Sequence, residues 1–209
     1  MPLESTNSFR KMFTAIALCR SVSLDIPLLV LTYTALDALA WARYGDQMGD
    51  VKERFLKFCD EHVLAGGVIR CAALDLYAAR CAMLHSLGWE SRLSEKGHAK
   101  AVVYAFGPGR SRAIEMLEHK APGKFVDVNA DDLVSAVQEA YERVRIQAAA
   151  DAKLLARLEQ AEGQQLVGVS PDLAKLMAEH PSGLPIELLA DPSEATSLYR
   201  ASISFRIDP

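Results

Sequence analysis

Residues 74–88 read LDLYAARCAMLHSLG. Ile69, Ala72, Ala73, Leu76, Ala79, Met83 and Leu84 recur at three- and four-residue steps, the spacing of one helix face. The pattern predicts a helix from about Val68 to Leu87, with Gly88 as its C-terminal cap. Small residues around Arg80 allow close packing, and the charged pair Arg80 and His85 sits near the helix end.

Working upstream, three more helices are expected. Asn7 to about Arg20 carries Phe9, Met12, Phe13, Ile16 and Ala17 at helical spacing. A second helix, capped by Ser23 and tolerating Pro27 near its start, runs to about Gly45. It is apolar nearly all round, which predicts a central position. Its most apolar run, Ile26 to Trp41, is 16 residues long and interrupted by Pro27 and Asp37. A core helix, not a membrane span, is the expectation. Asp50 caps the third helix, with Val51, Phe55, Phe58 and Cys59 inward, and Gly66-Gly67 ends it.

Downstream, AVVYAF at 101–106 and Phe125–Val128 are β-like runs, read as a small hairpin with a long connection. Asn129 caps a long helix that reaches Leu158 and stops before Gly163. The rest holds Pro171, Pro181, Pro185 and Pro192. It reads as an arm of short pieces, with a helix near 172–179 and a strand in SLYRASISF. The expected domains are 1–162, helical with a β-element near 101–128, and 163–209, the arm.

Of the 209 residues 50% are hydrophobic and 24% charged, a folded composition that excludes a collagenous or wholly disordered chain. The net charge of −4 excludes a surface coated in positive charge for duplex DNA. Residues 1–124 hold 16 basic and 13 acidic side chains, and 125–209 hold 7 and 14, so an anionic ligand belongs on the first part. Cys19, Cys59, Cys71 and Cys81 form no CxxC pair and lie in apolar stretches. Reduced thiols in a cytoplasmic protein are expected, without metal or cofactor. The start, MPLESTNSFRKMF, lacks a signal-peptide layout.

No P-loop, GxGxxG, GxSxG or HExxH pattern occurs. GPGRSR, residues 107–112, reads as a turn or as a phosphate cradle. An Arg followed by a His after four to six residues occurs three times: Arg80–His85, Arg92–His98 and Arg112–His119. Arg80–His85 is singled out because it lies near the end of an amphipathic helix. A guanidinium stabilises a phosphorane, and an imidazole moves protons, which suffices for metal-free attack of a ribose 2′-OH on its own phosphate. Asp37 interrupts an apolar helix and needs a partner, with Arg80, Arg43 and Arg70 as candidates. Asp75 and Tyr77 lie just upstream of Arg80. The structural alternative pairs Arg80 with Asp75 or a carbonyl and leaves His85 as a polar cap. Tyr77 reads as core or as a group that meets phosphate or base. Lys96, Lys100, Arg110 and Arg112, with Tyr104 and Phe106 interleaved, read as a solvated loop or as a guide for a single strand. His62 and His180 read as surface histidines. Met12, Met83 and Met116 read as packing residues.

TALDALAWARYGD (34–46) and LDLYAARCAMLHSLG together resemble the HEPN superfamily. Those are all-α bundles whose ribonuclease members carry R-x(4–6)-H near the end of a core helix. The resemblance spans roughly residues 9–90. It implies a mainly α, HEPN-like bundle with Arg80 and His85 as catalytic residues, supported by Asp37, Asp75, Tyr77 and Cys81. Cys81 stands where the family usually has a polar residue. The resemblance further implies metal-independent cleavage of single-stranded RNA to 2′,3′-cyclic phosphate and 5′-hydroxyl ends. A toxin or defence role, a cognate antitoxin and a homodimer with the two motifs facing across a composite cleft also follow from it. Positions five apart on a regular helix lie about 140° round the axis. Arg80 and His85 are therefore expected to converge only at a distorted helix end or across two copies. The rival reading is a non-catalytic HEPN-like nucleotide- or protein-binding module. A third is a structural helical dimer that pairs through the acidic helix after Asn129.

Overall fold

The computed structural model describes residues 8–109 and 112–164, all in the first of the two units into which the chain divides, Met1–Gln165. The expected arm, with its helix near 172–179, its strand in SLYRASISF and His180, lies outside the described residues, as does Arg110. The chain is mainly helical. Its described helices are α1 (Ser8–Ser21), α2 (Asp25–Tyr44), α3 (Val51–Phe58), α4 (Ala73–Ser86), α5 (Arg92–Glu95), α6 (Arg112–Lys120), α7 (Ala130–Ala148) and α8 (Ala152–Gln164). The strands are β1 (Ala101–Ala105) and β2 (Phe125–Asn129).

Helix α2 is the centre, with α1, α3, α4, α7 and α8 packed around it. By length and apolarity it would suit a bilayer, yet half of its most apolar window is buried by these neighbours. Leu28, Leu36, Leu39 and Tyr33 are fully enclosed. Each such side chain contributes about 1.5–3 kcal/mol before the entropy of ordering it. The helix is 20 residues long, so burial rather than shortness accounts for its place. Ser23 is not its cap. Ser23 sits at φ +56, and α2 starts after Leu24 with no side-chain cap. At the other end Arg157 of α8 donates to the carbonyls of Ala42 (2.9 Å) and Arg43 (3.2 Å), satisfying acceptors the helix leaves open. Gly45 sits at φ +51, where a side chain is strained, and an added Cβ would come within 2.5 Å of the Arg157 side chain.

Asp50 caps α3, accepting from the Lys52 amide at 2.8 Å. Val51, the first residue of α3, is 47% exposed rather than inward. After Phe58 the helix widens into one π turn, Cys59–Val63. Helix α4 begins at Ala73, later than its periodicity predicts. Ile69 is buried from the segment that leads into it. Met83 is buried and Met12 half-buried, whereas Met116 is 64% exposed.

The β-element is not a hairpin. Strands β1 and β2 run parallel, Ala101 beside Phe125 through Ala105 beside Asn129. Parallel strands need a crossover, and α6 supplies it, setting Ile114 against Ala101 and Phe125. The long helix after Asn129 is two. Asn129 caps α7 through the amides of Asp131 and Asp132. The chain then turns after Ala148, and Asp151 caps α8 through Lys153 and Leu154. Helix α8 passes through Gly163 to Gln164.

His62 is buried, not at the surface. It belongs to the π turn and its ring lies 4.8 Å from that of Phe58. Burial, followed by the charges of Arg43 and Arg143, holds it below the usual histidine range, against an opposing pull from Glu61. The unfolded chain takes up this proton from about pH 6.5, while the folded one resists it. The stabilisation is complete above that pH and is lost as pH falls toward the folded value. Urea unfolding between pH 7.5 and pH 5 is expected to show falling stability in the wild type and a flatter profile in His62→Gln. Equal slopes in the two proteins would refute this.

Candidate functional site

Helix α4 lays Leu76, Ala79 and Met83 into the core, turns Arg80 toward α2 and leaves His85 exposed. Arg80 reaches across to α2. Its Nε donates to Asp37 Oδ2 at 2.8 Å, and its Nη2 meets the same oxygen at 2.6 Å. The remaining arm, Nη1, lies 3.4 Å from His85 Nε2. Arg80 and His85 therefore converge on one regular helix, within one chain. The long arginine side chain spans the angle that the backbone leaves between them. Neither a distorted helix end nor a second copy is required for this contact.

The electrostatics fit a half-buried pair, the Arg80 side chain being 16% exposed and that of Asp37 23%. Burial pushes the Asp37 carboxyl above its usual range, and the hydrogen bond and charge of Arg80 only partly offset this. Burial also disfavours charge on Arg80, but the hydrogen bond and charge of Asp37 outweigh it and keep the guanidinium charged. Asp37 Oδ1 is buried without a partner among the described residues. One carboxylate oxygen thus fixes the guanidinium while the other stays unspent.

The supporting residues separate. Tyr77 packs edge-on against Phe55, ring centroids 5.5 Å apart, and burial and Cys81 raise its phenol. Cys81 is half-buried and lines a cleft of about 450 Å³ with His85, Ser86, Glu90, Ser91, Arg92, Leu93 and Glu95. Asp75 takes no part in this cluster. It is buried, and its oxygens accept from the amides of Ala72 (3.0 Å) and Lys100 (2.7 Å), tying the start of α4 to the approach of β1.

The expected single-strand guide is also dispersed. Lys96 is exposed at the end of α5 and does not line the His85 cleft. Lys100 lines a different groove, of about 620 Å³, together with Arg70, Glu118, Asp127 and Asp132. The Arg112 side chain lies outside the described residues. Tyr104 turns inward and shares a hydrogen bond with the buried hydroxyl of Tyr33, so it is not free to stack on a ligand. The Gly107 amide donates to Asp131 at 3.3 Å. A phosphate cradle at GPGRSR would therefore find its first donor facing a carboxylate.

Sequence reasoning missed Glu90 and placed Arg92 only in a rejected copy of the motif; with Glu95 they wall the cleft from the segment after α4. It also missed Trp89, 59% exposed and next to Glu90 in the chain. The one visible signal was an aromatic directly after the Gly88 cap, in a polar connection. Among the described residues no three of His, Cys, Asp and Glu gather as a metal site. Comparison with family models, with curated proteins and with solved structures finds no match.

Proposed function

We propose that this protein is a metal-independent endoribonuclease of HEPN type, with Arg80 and His85 as its catalytic residues. The supporting observation is the approach of Arg80 Nη1 to His85 Nε2 at 3.4 Å, with Asp37 holding the other side of the guanidinium. A phosphate bound against both side chains would meet a fixed positive charge and a proton carrier. His85 takes the proton of a ribose 2′-OH, and the oxygen attacks the adjacent phosphorus. Arg80 stabilises the doubly charged phosphorane. The 5′-oxygen leaves and takes up a proton, giving a 2′,3′-cyclic phosphate and a 5′-hydroxyl. Asp37 orients Arg80 rather than touching substrate. A homodimer that brings two such clefts together, a single-stranded RNA substrate and a toxin or defence role with a cognate antitoxin belong to the same proposal.

The test is cleavage of single-stranded RNA in EDTA by wild type and His85→Ala, matched for folding by circular dichroism. The variant is expected to lose at least about a hundredfold in rate, the low end for loss of an acid–base group. Equal rates in the two proteins would overturn the assignment.

The second reading is a binding module that cleaves nothing. It is favoured by Asp37, which already occupies two nitrogens of Arg80, and by Cys81 in the motif. It predicts RNA or nucleotide binding by wild type without product, and unchanged affinity in His85→Ala.

A further inference from the structure

The cleft beside His85 carries both signs of charge. Arg92 lines it, and so do Glu90 and Glu95. Attraction for phosphates there is largely cancelled, and the whole chain is at −4. A strand of RNA must gain its affinity from something other than its backbone charge. The connection from α4 to α5 offers such a contact. Leu87 ends α4 in the left-handed region at φ 49, and the chain then turns out through Gly88 to Trp89. The Trp89 ring stacks on Phe125 at the start of β2, with centroids 6.0 Å apart and planes 21° apart. Phe125 is itself buried against Ala101 and Ile114, so it is a firm backing. Yet Trp89 is 59% exposed, which leaves the indole open on the side away from Phe125.

A large aromatic backed on one side and open on the other is the arrangement on which unpaired bases stack. Trp89 is four residues from His85, at most about 14 Å along an extended chain, a span that a short oligonucleotide covers. Its neighbour Glu90 lines the His85 cleft directly.

We propose that Trp89 is the base platform of this site: a nucleobase of single-stranded RNA, within a few nucleotides of the scissile phosphate, stacks on its open face. The inference rests on the ribonuclease reading for the position of the phosphate. The contact itself is a binding event that can be measured without cleavage. Every base has a π face, so the platform tolerates sequence and excludes duplex, whose bases are already stacked.

The chain has two tryptophans, Trp41 and Trp89, so Trp41→Phe leaves Trp89 as the only indole reporter. The probe is a random-sequence 2′-O-methyl oligoribonucleotide, which lacks the attacking hydroxyl and cannot be cut. Its titration is expected to quench Trp89 emission, while an abasic 2′-O-methyl strand of equal length does not. By fluorescence anisotropy, Trp89→Ala is expected to bind the probe about five- to a hundredfold more weakly than wild type, with Trp89→Phe between them. The anisotropy series uses proteins with Trp41 intact, so it stands even if Trp41→Phe fails to fold.

Unchanged affinity in Trp89→Ala, or no binding of the probe by wild type, overturns the platform. So does Trp89 emission that shifts with protein concentration alone, which would make the ring a contact between copies. The two proposals fail separately. Quenching by the probe, with cleavage that survives His85→Ala, sinks the ribonuclease and keeps the platform. Unchanged probe affinity in Trp89→Ala, with cleavage lost in His85→Ala, does the reverse.

Discussion

Arg80→Ala is expected to lower RNA cleavage by at least about 10²–10³, the usual loss when one donor to a developing oxyanion is removed. The same change is expected to cost about 2–4 kcal/mol of folding stability. It leaves the Asp37 carboxylate half-buried without its partner, and breaking such a pair from one side is expensive. The estimate sits toward the low end because both side chains keep some exposure. The two losses can be separated. Arg80→Lys keeps the charge but loses the planar fork that meets Asp37 and His85 together. It is expected to recover most of the stability and little of the cleavage. Asp37→Asn combined with Arg80→Ala removes the stranded charge, so this double variant is expected to be more stable than Arg80→Ala and equally inactive. Urea unfolding and single-turnover cleavage in EDTA give both quantities. Wild-type cleavage by Arg80→Ala would refute the proposed role. A double variant no more stable than Arg80→Ala would show that Asp37 is not the charge left stranded.

The second large effect is expected at Asp75, with the opposite signature. Asp75→Ala removes a buried carboxylate whose two oxygens hold the amides of Ala72 and Lys100. Each hydrogen bond to a charged group contributes about 1.5–3 kcal/mol, and the stranded Lys100 amide adds its own cost. A loss of roughly 3–6 kcal/mol follows, or a Tm lower by roughly 6–24 °C for a domain of this size. Asp75→Asn keeps one acceptor and should fall between. Below its melting range, Asp75→Ala is expected to cleave RNA at a rate within about threefold of wild type, since neither oxygen faces Arg80 or His85. A large drop in kcat with unchanged Tm would instead place Asp75 in the site.

These two carboxylates show how far the chain could be read before it was folded. Both are acids in apolar helices, but the sequence reading asked for a partner only for Asp37 and offered Asp75 as an alternative partner for Arg80. For Asp37 the partner was among the candidates, because Arg80 is always charged and long enough to cross between helices. For Asp75 the partners are main-chain amides, one of them 25 residues away, and no side-chain pattern marks a backbone donor. The parallel pairing of β1 and β2 was hidden for a related reason. Their residues suit a strand in either direction, and only α6, whose apolar face is short, shows that the chain crosses over between them. The break between α7 and α8 hides in a run of alanines, where Asp151 is the sole cue.

By itself the sequence determined the mainly helical class, the central place of α2, and the caps at Asp50 and Asn129. Periodicity, helix-end chemistry and the cost of burying charge act within a few residues, so they are written locally. Only the tertiary structure decided that Arg80 meets His85 on one regular helix, that Asp75 serves as a tether, that Tyr104 faces inward, and that Trp89 stands open against Phe125. Those outcomes depend on which surfaces remain after the helices have packed, and that is set by the whole core at once.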